Sequence, residues 1–148
     1  MSDCVTCDSI AAGNAPGGCI HESADWYVDH CIGPLGVGTL IVKPKRHVIH
    51  VADLTAEEAA ELGPLLRQTS ALVTELVQPE QVYVTLWSHA GGVPGHIHFV
   101  VQPVTREQMD ELGLYGPRLQ VEMFSRAEAP DPYAMAAFAD RARAIWPA

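Results

Sequence analysis

At 148 residues, 48% of them hydrophobic, the chain is long enough to bury a core without disulfides and too apolar to be disordered. A formal net charge of −9 argues against a general nucleic-acid binder, which needs a basic face to neutralise phosphates. No apolar run reaches the roughly 18 residues that cross a bilayer, and the acidic start Met1-Ser2-Asp3-Cys4 lacks signal-peptide character, so a cytoplasmic chain with no membrane partner is expected.

In such a reducing compartment Cys4, Cys7, Cys19 and Cys31 are read as thiols or metal ligands ahead of disulfides. Cys4-Val5-Thr6-Cys7 leads into a Gly/Pro-rich loop over 12–18. Cys19-Ile20-His21-Glu22 and Trp26-Tyr27-Val28 predict two short strands joined by a turn. After a loop at 33–38, the β-rich run Thr39-Leu40-Ile41-Val42-Lys43 ends at Pro44, as a strand should. Lys43 and Lys45 stand here with Arg46, and this basic cluster is expected to be solvated.

Thr55 and Glu58 form a capping box that opens a helix, on which Leu62, Leu65, Leu66, Leu72, Val73 and Leu76 repeat at helical spacing. Gly63-Pro64 marks a possible kink in it. Gln81-Val82-Tyr83-Val84-Thr85-Leu86-Trp87 predicts a strand, paired across a seven-residue loop, 88–94, with the strand that begins at Gly95. Thr105 and Gln108 repeat the capping box for a short helix to about Leu114. Residues 119–124 read either as a short strand or as a cover for the site. Asp131-Pro132 opens a last helix expected to bury Met135, Phe138, Ala142 and Ile145. With no repeat and no linker, the expectation is one α+β domain over 1–148: an antiparallel sheet, one long helix packed on it, and C-terminal helices in an extension, 105–148.

Two features carry chemistry. In an extended strand, His96 and His98 share one face with Val100 and Gln102, while Ile97, Phe99 and Val101 take the other. Packing alone is a poor reason for adjacent imidazoles, which serve as nucleophile, base or metal ligand near neutral pH. Cys4 and Cys7 are spaced as the two-thiolate half of a tetrahedral zinc site, to be completed by two imidazoles. His47, His50 and His96 are candidates, with His21, His30 and His89 behind them, and spacing does not choose among them.

These residues resemble the histidine triad (HIT) superfamily, in its zinc-containing branch. Gly38-Thr39-Leu40-Ile41-Val42-Lys43-Pro44-Lys45-Arg46-His47 is similar to that family's Gly-His-x-Leu-Val-x-Pro-Lys-x-His segment, and Gly91-Gly92 followed by 96–103 to its His-φ-His-φ-His-φ-φ strand. The resemblance spans residues 4 to about 103, with one histidine of the three missing. Loss of the first would make His96 the nucleophile, and loss of the third His98. The family has proline three residues after the third motif position; Pro103 stands three after Val100, so the second register is taken.

The resemblance then implies His98 as nucleophile and structural zinc on Cys4, Cys7, His47 and His96. Substrate contacts are expected from the backbone N–H groups of Gly91 and Gly92, from His89 as a general acid in the loop, and from Gln102. His50 stays open as a rival to His47. Implied too are a homodimer and attack at the α-phosphate of a purine nucleotide derivative or dinucleoside polyphosphate. Val93-Pro94 replaces the usual Gln-Ser, and Val100 can neither donate nor accept a hydrogen bond. Each lost partner of the leaving group is worth ~10²-fold or more in rate. The sequence therefore keeps a second reading, a nucleotide-binding or sensor protein with little turnover, and a third, a small zinc-stabilised interaction module.

Overall fold

The computed structural model describes residues 2–147. Five strands, β1 (His21–Glu22), β2 (Trp26–His30), β3 (Leu40–Pro44), β4 (Gln81–Ala90) and β5 (Val93–Val104), form one antiparallel sheet in the order β1-β2-β3-β5-β4. The alternating pleat sends Trp26, Val28, Leu40, Val42 and Val101 to one face. There they meet Leu65, Leu72 and Val73 of α2 (Ala56–Val77) and Phe138, Ala139 and Ala142 of α5 (Pro132–Ile145). Each large side chain fully buried in this layer contributes ~1.5–3 kcal/mol. Ile41, Trp87 and Val100 point the other way and pack with Cys31, Leu35 and Met123. The α+β architecture with one long helix on the sheet is as expected.

Thr55 caps α2 through both bonds of the capping box, its hydroxyl accepting from the Glu58 amide and the Glu58 carboxylate from the Thr55 amide. The same carboxylate receives Arg46 at 2.9 and 3.0 Å, which ties the His47 segment to the helix start. Thr55→Ala is expected to cost ~1 kcal/mol, read as a lower midpoint in thermal melting. The helix is continuous through Gly63-Pro64, which lies on its exposed side.

Four elements differ from expectation. Cys4 caps a helix, α1 (Val5–Ala12), where no element was expected; it has no apolar stripe to announce it and buries no residue fully. The β4–β5 loop is not seven residues long. The strands run on to Ala90 and from Val93, and Gly91-Gly92, both with positive φ (60° and 85°), close the hairpin as a two-residue turn. Of the two readings of residues 119–124 the strand fails: they lie within α4 (Pro117–Arg126), with proline at its first turn, and Phe124 reaches the cavity described below. Ile145, at the end of α5, is 38% exposed, whereas Met135, Phe138 and Ala142 are buried. The short α3 (Arg106–Leu112) begins at Thr105 and Gln108 as read from the capping box.

Candidate active site and metal centre

Four side chains from three distant parts of the chain meet beside β5. Cys4, Cys7, His47 and His96 offer ligand atoms that all lie within 4.8 Å of one another. The Sγ atoms of Cys4 and Cys7 stand 3.5 and 3.4 Å from His96 Nδ1, and Cys7 Sγ stands 3.5 Å from His47 Nδ1. A tetrahedral zinc with ordinary bond lengths spaces sulfur and nitrogen ligands by about 3.6 Å, so the set fits that ion.

The tautomer agrees. His96 Nε2 donates to the Pro44 carbonyl at 2.8 Å, leaving the Nδ1 lone pair turned to the sulfurs. Burial, with the Cys4 sulfur beside it, pushes the Cys7 thiol up to about 11, and burial holds His96 below its usual range. A cation would reverse that cost for Cys7. His50 precedes a 3-10 turn (Val51–Asp53) and stays outside the cluster.

Two residues on, His98 faces a cavity of about 830 Å³ on the sheet face that α2 leaves uncovered. Its Nδ1 stands 3.2 Å from the His96 carbonyl; a carbonyl only accepts, so Nδ1 carries the proton and Nε2 keeps its lone pair. Burial pushes the ring below the ordinary histidine range, against the opposing pull of that carbonyl and of Asp29. Neutral imidazole with a free Nε2 is the form that attacks an electrophile. The walls come from α1 (Val5, Asp8, Ser9), from Trp87 on β4 and from Phe124 on α4, with Val100 beside His98. Trp87 and Phe124 meet edge to face at 5.0 Å.

Other expected site residues lie elsewhere. Gly91, Gly92 and His89 sit at the exposed hairpin tip, beyond the residues that line the cavity, because the long strands carry the turn past it. Gln102 is 0% exposed. It donates to the Leu35 carbonyl at 3.2 Å and accepts from Gln120 at 2.9 Å, which docks α4 on the sheet and keeps Gln102 from any substrate. His30 is committed on both nitrogens, to Cys31 O and to the Gly38 amide.

Sequence reasoning missed Asp29 and placed Lys43 in solvent. Both line the cavity, and Lys43 Nζ meets Asp29 Oδ2 at 2.8 Å with their side chains 6% and 3% exposed. Burial pushes the Asp29 carboxyl up, against the pull of Lys43. The signal available was alternation: Lys43 falls on the same pleat as Ile41, pointing into the site.

No family model matches the chain. Solved structures do resemble it. A Zn-bound histidine triad family protein from Mycobacterium smegmatis is 18% identical with a TM-score of 0.67, over 96% of this chain and 94% of that one. A hypothetical histidine triad nucleotide-binding protein from Sulfolobus tokodaii strain 7 is 17% identical with a TM-score of 0.71, over 95% and 90%. A Hit-like protein involved in cell-cycle regulation from Bartonella henselae is 16% identical with a TM-score of 0.72, over 96% and 95%. Sheet order, helix placement and these matches agree: the chain has the fold of the histidine triad proteins.

Proposed function

We propose that the chain is a divergent, zinc-containing member of the histidine triad superfamily, a single domain over 1–148. It would act as a nucleotide hydrolase or nucleotidyltransferase at the α-phosphate of a purine nucleotide derivative or dinucleoside polyphosphate. The observation that carries this reading is His98, its Nδ1 bound to the His96 carbonyl and its Nε2 free in a cavity large enough for a nucleotide. Nε2 attacks the α-phosphorus; the bond to the leaving group breaks, and that group departs with the electron pair. Water then attacks the phosphorus of nucleotidyl-His98, the P–N bond breaks, imidazole is restored, and the water proton passes to solvent.

Cys4, Cys7, His47 and His96 would hold zinc as a structural ion that fastens α1 to β5. The Zn-bound Mycobacterium smegmatis neighbour supports this, and thiolate ligation suits a reducing cytoplasm. The ten-residue edge strand β4, with Val84 and Leu86 about 40% exposed, supports homodimerisation along that edge.

A second reading, nucleotide binding without turnover, is favoured by Val100, an apolar side chain where a third imidazole would meet the leaving group. Incubation with an adenosine phosphoramidate or diadenosine polyphosphate separates the two. The first reading expects AMP release and a protein-mass increase of one nucleotidyl group after acid quench. AMP that binds but is never formed would leave the second.

A further inference from the structure

We propose that Lys43 is the residue that holds the substrate's phosphate at His98, a role the glycine turn was expected to fill. The inference rests on the nucleotide reading above and adds a phosphate-selective group to it. Gly91-Gly92 turns outside the cavity, so its amides do not face the imidazole. Something else must balance the phosphoryl charge, since an anion in so apolar a cavity is costly without a partner.

Among the described residues lining the cavity, Lys43 is the only lysine or arginine. The β3–β5 pairing sets Ile41 opposite Val100 and Val42 opposite Phe99; one step further in the same register, Lys43 stands across from His98. Its ammonium has three donors. Asp29 takes one at 2.8 Å and Ser9 Oγ another at 3.3 Å, and the third has no protein partner among the described residues. Nζ also lies 5.4 Å from the centre of the Tyr27 ring, a cation–π contact on the ammonium itself. Asp29 and Ser9 thus aim the cation, and a phosphate oxygen takes the remaining donor.

An ion pair kept only for stability would treat every ligand alike, whereas a phosphate holder distinguishes AMP from adenosine. Calorimetric titration of the zinc-loaded full chain with AMP and with adenosine tests this. Lys43→Met, which keeps the stem, is expected to weaken AMP about 10- to 100-fold and to leave adenosine within about threefold, with Lys43→Arg retaining most of the preference. Should Lys43→Met fail to fold by thermal melting, Lys43→Gln, which keeps a donor for Asp29 but no charge, serves instead and is expected to lose the preference for AMP in the same way.

An AMP preference untouched by Lys43→Met, or lost equally for adenosine, overturns the Lys43 assignment alone. So does a Lys43→Gln protein whose preference for AMP is unchanged. Wild-type protein that binds neither ligand overturns the nucleotide reading itself, and this assignment with it.

Discussion

Replacing His98 with alanine is expected to lower turnover of an adenosine phosphoramidate or diadenosine polyphosphate by at least ~10³-fold while AMP still binds. No other imidazole near the strand is free to take over. His96 has Nε2 on the Pro44 carbonyl and Nδ1 between two sulfurs, and His47 belongs to the same cluster. His30 is bonded at both ring nitrogens, and His89 lies on the hairpin tip. Val100 offers no lone pair. The variant should fold, because His98 is only half-buried and its one side-chain hydrogen bond is to its own strand. Steady-state rates paired with acid-quenched intact mass check the outcome. A variant that retains more than about a tenth of the wild-type rate would remove His98 from the nucleophile's role and return that choice to the other register.

Cys4→Ser, or chelation of the wild-type chain, should have the largest effect on stability. Metal analysis is expected to fall from about one zinc per chain to near none, and the melting midpoint by about 5–10 °C, as a loss of a few kcal/mol does in a chain of this size. The reason lies in α1. Eight residues are too few for a helix to persist alone, and none of its side chains is fully buried. Beyond side-chain contacts such as Ser9 to Lys43, its attachment to the sheet runs through Cys4 and Cys7. Because Val5, Asp8 and Ser9 wall the cavity, KM for the nucleotide should rise more than kcat falls. Wild-type protein isolated without zinc, with a melt indifferent to chelator, would overturn the metal assignment and leave His98 untouched.

Much of the sheet was legible because its strands carry two periodicities at once. Leu40 and Val42 announce one face and Ile41 the other, and the pair of histidines stands out only against that alternation. The capping boxes at Thr55 and Thr105 fixed two helix starts through local chemistry that tertiary context did not override. α1 escaped notice because its sulfurs, rather than an apolar stripe, hold it. The hairpin loop was read too long because two glycines in a turn look the same whether the flanking strands stop early or continue.

Lys43 and Gln102 show the deeper limit. The sequence reading places the first in solvent and the second on substrate, and each is decided by partners far away in the chain. Asp29 lies 14 residues from Lys43, and Gln120 lies 18 from Gln102. The pattern along one strand says which way a side chain points; it does not say what waits there.

The packing at position 100 leaves little room for a larger side chain. Val100 is 1% exposed, wedged with Cys31 and Leu35 against Ile41, Trp87 and Met123. A histidine there would need room among hydrocarbon and sulfur, and it would press on the Thr85–Gln120–Gln102 hydrogen bonds that lie beside it. Adding a ring there by one substitution would trade a sound floor for a strained one. A protein engineer seeking a third imidazole would have to rebuild the α4 side of the pocket together with the strand.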